Sequence, residues 1–390
     1  MNSSLPADAT RADVIVVGAG TLGTFHAYFA ARKGYKTLLL ERNAFPNDAS
    51  TRNFGMVLRT IVETDTQWTG FARASAAIYR ALQQERDISV QVAGSLYLAS
   101  TEVEARVLQE FADRFSSTFG CTYLTADEAC ARYAFIQRSY CRGALLFMHD
   151  LTVEPRRLMH EVIAHIVEQK LVDYRPFTNV VAIEPSVQHG IVKDARGNVY
   201  VADQIFVCSG AEYRTLFPAA FTSSGLRVCK LHMMRTVSQP QVLPHALLSG
   251  LSIQRYPAFK SCPSYHALTE QPAEEAIRDY GIHLLFKQAT DGSIVIGDSH
   301  EYRSFEEASS LEESTNSAIN QAILEYGQRM ITLPSWDIQA MWNGYYLTHP
   351  QRDIYTHDVS NSVHIVTGIG GKGMSTGPGF AQANIAATLS

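Results

Sequence analysis

Asp13-Val14-Ile15-Val16-Val17-Gly18-Ala19-Gly20-Thr21-Leu22-Gly23 runs from a short apolar stretch straight into a glycine turn. Residues 13–17 have the continuous apolar character of a strand buried on both faces of a parallel sheet. Leu22 to Lys33 then reads as a helix that Gly34 stops, and Lys36 to Leu40 as a second strand ending at Glu41. Strand, glycine turn, helix and strand within about 30 residues make a dinucleotide-binding unit. Gly18 permits the tight turn, Gly20 lets the backbone approach a pyrophosphate, and Gly23 lets helix and strand pack closely. The helix start at Thr21 and Leu22 offers unpaired N–H groups and a partial positive charge to phosphates. Glu41 follows Gly20 by 21 residues and stands where a carboxylate accepts hydrogen bonds from an adenosine ribose. An acid at that place repels a 2′-phosphate, which disfavours NADP.

The chain has 390 residues, 46 % of them apolar and 18 % charged, the make-up of an ordinary globular protein long enough for two domains. A net charge of −5 offers no field for nucleic acid or an anionic membrane surface, so neither partner is expected. No apolar run is long enough to span a bilayer, and the polar MNSSLPADAT start lacks the pattern of a secretion signal; a cytoplasmic protein with a frayed ten-residue tail is expected. The cysteines Cys121, Cys130, Cys141, Cys208, Cys229 and Cys262 form no C-x-x-C pair and have no nearby histidine at ligand spacing. They read as reduced thiols with no metal site, a redox pair among Cys121, Cys130 and Cys141 being the open alternative.

The middle of the chain changes period. Val92 to Leu98, Cys229 to Val237 and Ile282 to Lys287 are strand-like, and Ile282 to Lys287 forms a hairpin with Ser293 to Gly297 across a loop, Gln288 to Gly292, that contains Asp291-Gly292. Thr101 to Ser117 and Glu154 to Lys170 are helical, with Pro155 at a first helical position. Residues 201–210 return to a buried strand that ends in a glycine turn. The fold class is therefore α/β, with a discontinuous second unit of antiparallel α+β character that the chain visits more than once.

Val363 to Thr367, a strand, opens into a loop with five glycines between Gly368 and Gly377, and the chain turns helical near Gly379. Bare backbone of this kind suits close approach to a flat ligand. A second glycine turn about 350 residues after the first fits a flavin, which is long enough to need both. With GAGTLG and Glu41, residues 49–56 (ASTRNFGM), Cys208-Ser209-Gly210 and residues 367–375 (TGIGGKGMS), the chain resembles the FAD-dependent amine and amino-acid oxidase superfamily that includes glycine oxidase, sarcosine oxidase and D-amino-acid oxidase. The stretch ASTRNFGMV also resembles a branch found in aminophosphonate catabolism. On this resemblance residues 1–87, 146–225 and 331–390 form the FAD-binding domain, and 88–145 and 226–330 the substrate domain.

The resemblance implies roles for named residues. Ser50, Thr51 and Arg52 would touch phosphate, and Asn53, Phe54, Gly55 and Met56 the flavin ring. Arg42 would meet the adenosine side, and the backbone of Val181 the adenine. Ser209 and Gly210 would close the cofactor site, as would Gly370, Gly371, Lys372, Gly373 and Met374, with Lys372 beside the flavin pyrimidine. Where sarcosine oxidase relatives tether FAD through a cysteine, this chain reads Trp342-Asn343-Gly344-Tyr345, so FAD is expected to be non-covalent. Where glycine oxidase relatives carry a carboxylate-gripping arginine it has Tyr346. Lys287 falls at the other anion-binding position, and His283, on the same face by the period of two, at the place of an oxygen-promoting lysine. Arg59, Arg235, Tyr256 and His266 are further substrate candidates. The implied chemistry is hydride transfer from a small anionic amine to flavin N5, hydrolysis of the imine, and reduction of O2 to H2O2. An N-methylated 2-aminoethylphosphonate is the first substrate expected and a glycine-, sarcosine- or D-amino-acid-like compound the second. A dehydrogenase passing electrons to a carrier or quinone, and a flavin-binding protein without turnover, are the other classes. Neither the oligomeric state nor the primary or secondary nature of the amine is legible.

Overall fold

The computed structural model describes residues 9–186, 188–270, 274–311 and 314–389. Residues 1–8 of the expected tail lie outside the described residues, and Thr10 already begins the first strand. β1 (Thr10–Val17), α1 (Thr21–Arg32) and β2 (Thr37–Leu40) form the unit read from the glycine turn. β1 pairs in parallel with β2 on one side and with Val199–Val207 on the other. The sheet continues in parallel through Val172–Arg175 beyond β2 and Val363–Thr367 beyond Val199–Val207. Antiparallel Tyr355–Ser360 closes the edge beside Val363–Thr367, and the hairpin Val180–Pro185 with Gly190–Asp194 attaches along Val199–Val207.

Both faces of this sheet are covered, which is why residues 13–17 show no alternation. Val14 and Val16 pack into a core with Phe25, Phe206 and Ile163, whereas Ile15 and Val17 pack into another with Leu38, Val180 and Ile205. The second sheet runs Glu301–Arg303, Arg227–Thr236, Ile294–Gly297, Leu285–Gln288, Ala246–Leu248, Ser95–Ala99, Gly143–Phe147 and Cys121–Thr125, with Ile338–Thr348 also on Arg227–Thr236. Helix Glu102–Phe119 lays Val107, Leu108, Phe111 and Phe115 on one face, and helix Ser317–Met330 lays Ile319 and Ile323 on the other.

Three local readings change. By strand pairing Gly143–Phe147 and Ile338–Thr348 lie in the second sheet, although residues 146–147 and 338–348 were expected with the first unit. The second sheet is mixed, because Ala246–Leu248 pairs in parallel with Ser95–Ala99. The last helix starts at Gly373, six residues before Gly379, and runs through Pro378. Pro378 cannot donate to the carbonyl of Met374 four residues back. The hydroxyl of buried Tyr79 donates to that carbonyl instead, at 3.1 Å. The expected hairpin Ile282–Lys287 with Ser293–Gly297 is present as Leu285–Gln288 paired with Ile294–Gly297. All six cysteines are free, and burial pushes the thiols of Cys121 and Cys141 up to about 11.

Candidate active site

β1, Val199–Val207 and Val363–Thr367 are parallel, so their chain ends release three turns on one side of the sheet. Ligands of open α/β sheets bind on that side. Here the turns face the second sheet across a cavity of about 550 Å³. Gly20, Thr21, Leu22 and Gly23 line it from the start of α1. Gly23 has to be glycine, because a Cβ there would fall 1.8 Å from the carbonyl oxygen of Gly18. The backbone therefore touches backbone, and the first turn of α1, whose N–H groups have no acceptor within the helix, borders the cavity. Ser50 Oγ takes the N–H of Thr21 at 2.9 Å and pins residues 49–56 over the turn. That segment braces itself, with Asn53 Nδ2 donating to the Ala49 carbonyl at 2.8 Å and Asn53 Oδ1 accepting from the Gly55 N–H at 2.7 Å. The C-terminal loop supplies Gly370, Gly371, Lys372, Gly373 and Met374, with Gly370 at φ +65°, a conformation glycine adopts without strain.

Opposite the glycine turns the second sheet presents a polar cluster. His283 Nδ1 stands 2.8 Å from Asp298 Oδ1, close but misaligned for a hydrogen bond, and both atoms are buried without another partner. His300 Nε2 is 3.8 Å from Asp298 Oδ2, and His300 Nδ1 is 3.2 Å from the Gly281 carbonyl. The His283 ring meets those of Tyr256 and His300 edge-on at 5.5 and 5.1 Å. Arg255 donates to the Tyr302 hydroxyl at 2.8 Å, and Tyr346 lines the same end. Burial lowers both His283 and His300 from the usual histidine value. Burial opposes the charge on Asp298, but the charges of His300, His283 and Arg255 outweigh it and hold the carboxyl below its usual range.

Of the residues expected around FAD, the structure brings Gly20, Thr21, Leu22, Gly23, Ser50, Arg52, Asn53, Phe54, Met56 and Gly210 to the cavity wall, together with residues 370–374. Gly18 lies beneath the turn at φ +97°. Glu41 is buried behind it, its carboxylate accepting the N–H groups of Ala19 at 2.9 Å and Asn43 at 3.0 Å. Several other residues expected there have protein partners. Arg42 pairs with Asp48 at 2.7 Å, Thr51 Oγ1 donates to the Asp48 carbonyl, and Ser209 Oγ donates to the Glu212 carbonyl. Gly55 packs on Val153, where a Cβ would fall 2.1 Å from the carbonyl oxygen. Val181 is 41 % exposed on its strand while its neighbour Val180 is buried. Lys372 lines the cavity, and its ammonium lies 3.1 Å from Asp353 and over the Trp68 ring.

On the substrate side Tyr256, His283 and Tyr346 line the cavity, and four candidates do not. Lys287 does share a face with His283. It stands too far along the strand, however, and is buried against Glu154 at 2.9 Å and the Val153 carbonyl. Arg59 stacks on Phe119, donates to the carbonyls of Thr118 and Phe119, and lies 3.6 Å from Asp150. Arg235 pairs with Asp291 at 3.3 Å at the hairpin, and His266 is an exposed helix residue beside Glu270. In their place stand Arg255, Asp298, His300 and Tyr302, none marked in the sequence by a periodic or spaced motif. Arg255 directly precedes Tyr256, and that adjacency was the one available hint.

Two glycine turns on parallel strand ends, facing a polar pocket on a second sheet, define a flavin-type oxidoreductase of two sheets. The FAD dependent oxidoreductase (DAO) family matches residues 13–386, and the chain belongs to it. A glycine oxidase of Bacillus licheniformis is 29 % identical over 215 residues, a match that spans 53 % of this chain and 56 % of that enzyme. The glycine oxidase structure from Geobacillus kaustophilus superposes with a TM-score of 0.77 at 17 % identity, covering 97 % of this chain and 95 % of the other. The L-proline dehydrogenase structure from P. horikoshii superposes with a TM-score of 0.78 at 15 % identity, covering 98 % and 95 %. An oxidase and a dehydrogenase thus share this fold. FAD is the cofactor of the family, and the residues present fit it: the Leu22 and Gly23 N–H groups in the first turn of α1 for its phosphates and a bare glycine loop for a flat ring. Among the described residues no helix is long and apolar enough to cross a membrane.

Proposed function

We propose that the protein oxidises a small amine bearing an anionic group, with an aminophosphonate, first an N-methylated 2-aminoethylphosphonate, as substrate. The observation that carries this reading is Arg255. Its guanidinium borders the cavity and, among the described residues, no carboxylate lies within the 4.0 Å of an ion pair. Asp298 acts on it only from beyond contact distance, so the guanidinium keeps donors that a ligand's anion can take up. Tyr302 and Tyr346 add hydroxyl donors beside it, so a tetrahedral anion finds several hydrogen bonds at one end of the cavity. Apolar Leu231, Met233 and Leu285 line the way and strip water from the amine. FAD held at the glycine turns would supply the hydride acceptor for the carbon beside the amine nitrogen, with O2 as the final acceptor of the electrons and H2O2 as its product. The chain's residues hold the anion, exclude water and orient that carbon; water then hydrolyses the imine to an aldehyde or keto acid and an amine.

FAD is held without a covalent tether in this reading. Cys208, among the described residues the sole cysteine on the cavity wall, sits at the Gly18 turn at the phosphate end, and acid precipitation is expected to release the cofactor intact. Six free thiols support a cytoplasmic location. A second reading, a glycine- or sarcosine-like substrate, is favoured by Arg255 as the one guanidinium beside Tyr302 at the polar end, which matches one carboxylate, and by the likeness to glycine oxidases.

An anaerobic screen tests both: amines with a phosphonate, a carboxylate or no anion are added and the yellow absorbance is followed. Bleaching by aminophosphonates alone supports the first reading, and bleaching by amino acids alone the second. Equal bleaching by neutral amines removes the role of Arg255, and no bleaching by any amine leaves a flavin-binding protein without turnover. An oxygen electrode with the active amine separates an oxidase from a dehydrogenase.

A further inference from the structure

The geometry points to His283, backed by Asp298, as the group that takes the proton from the substrate ammonium before oxidation. The inference rests on the reading that the substrate is an amine. An amine delivers a hydride from its neighbouring carbon only once nitrogen has a free electron pair, whereas in water near neutral pH alkylamines are ammonium ions, with values near 10. Some group at the cavity therefore has to accept a proton.

His283 has the arrangement of an oriented base. It borders the cavity between Tyr256 and His300, and its Nδ1 is shut off from solvent 2.8 Å from Asp298 Oδ1. A small ring rotation turns Nδ1–H onto that carboxylate and fixes the tautomer whose Nε2 carries the lone pair, the relation by which a carboxylate orients a general base. Among the described residues Nε2 has no protein partner. The groups that act on the ring are Asp298 and His300 from the turn after Ile294–Gly297 and Arg255 and Tyr256 at the end of helix Gly250–Arg255, and Tyr302 and Tyr346 from two strands line the same cavity. Burial keeps the free imidazole neutral at pH 7. The bound ammonium enters the same buried cavity and feels the same Arg255 charge, so its own proton is loosened as well.

The step balances without a further reactant. One N–H bond of the ammonium breaks and leaves its electron pair on nitrogen, a new N–H bond forms at His283 Nε2, and Asp298 stabilises the imidazolium. The proton passes to water when the product leaves. His283, Asp298 and His300 also hold ligand-type atoms within 4.8 Å of one another, but the Arg255 charge acts on all three and opposes a divalent cation there.

The test is the pH dependence of anaerobic flavin reduction in the holoenzyme, set beside the pKa of the His283 ring measured by NMR in the ligand-free protein. In the wild type the acid limb of the rate at low substrate coincides with that ring pKa, since this parameter reports the free enzyme. His283→Gln is expected to lower the rate at pH 7 by about 100-fold or more. The same variant moves the limb towards about 10, the value of the amine itself, and recovers most of the rate above it. Asp298→Asn, which keeps the shape, is expected to lower the His283 pKa and the pH 7 rate about tenfold. A kinetic limb that differs from the ring pKa, or stays in place in His283→Gln or Asp298→Asn, overturns the inference, and so does one equivalent of tightly held divalent metal. If no amine reduces the wild type at any pH, the amine reading itself has failed.

Discussion

Lys287 Nζ lies 2.9 Å from Glu154 Oε1 and also donates to the Val153 carbonyl, which ties the second sheet to the segment that leads into helix Pro155–Glu168. Both charges are removed from most solvent, with side-chain exposures of 4 % and 18 %. Breaking such a pair strands a charge, at a cost of about 3 to 5 kcal/mol. Lys287→Met is therefore expected to lower the thermal unfolding midpoint by several degrees while the apparent KM for an anionic amine stays within twofold. Calorimetry and steady-state kinetics on one preparation check this, and a large rise in KM at unchanged stability would return Lys287 to the substrate.

Arg255 behaves in the opposite way. A charge-assisted bond to a substrate anion contributes about 1.5 to 3 kcal/mol, equivalent to roughly 10- to 100-fold in affinity. Arg255→Met is expected to weaken binding of the anionic amine by that factor, and to weaken a phosphonate that lacks the amine equally. Arg255→Lys recovers part of the loss, because the charge remains and the fork geometry does not. Spectral titration of the holoenzyme measures both, and equal affinities in all three proteins would place the anion elsewhere.

The elements most legible in the sequence are those built from neighbours in the chain. The unit from β1 to β2 needs only a strand, a turn and a helix in succession, and its glycines are explained by contacts such as Gly23 against Gly18. The sheet to which strand Ile338–Thr348 belongs is not legible locally, because its partner, Arg227–Thr236, lies about 100 residues away and no local pattern names it. For Lys287 the period of two gives the correct face; what it omits is reach, since each residue advances the strand by about 3.3 Å and carries the lysine past the cavity to Glu154. Arg255 carries no mark in the sequence, because it ends a helix of six residues with no repeat to set it apart.

The two glycine turns predict different responses to one added methyl group. Gly23→Ala places a Cβ 1.8 Å from the Gly18 carbonyl oxygen, so the turn has to open and FAD content is expected to fall severalfold. In Gly371→Ala the nearest atom is the Tyr346 hydroxyl at 3.5 Å, an ordinary contact, so the protein alone tolerates it. FAD lost from Gly371→Ala then reports contact with the cofactor itself. The ratio of yellow to protein absorbance after reconstitution, with circular dichroism as the fold control, measures both, and full FAD content in Gly23→Ala would contradict the close-packed turn.

Acid should unfold the protein earlier than its carboxylates alone require. Burial lowers His26, His283 and His300 below the histidine value they regain on unfolding, about 6.5. As pH falls below that value the unfolded chain takes up protons that the fold refuses. The stability these residues contribute is complete above about pH 6.5 and is lost as pH falls towards their folded values. His26 gives the cleaner test, because it lies away from the cavity, with Nδ1 2.7 Å from the Leu22 carbonyl and Nε2 3.0 Å from Asn384 Oδ1. The unfolding midpoint of the wild type is expected to be nearly level above about pH 7 and to fall progressively below 6.5, and His26→Gln should flatten that fall by up to one proton per chain. A midpoint that holds or rises between about pH 6.5 and 5.5 would mean that the buried imidazoles accept protons in place, against the direction their burial imposes.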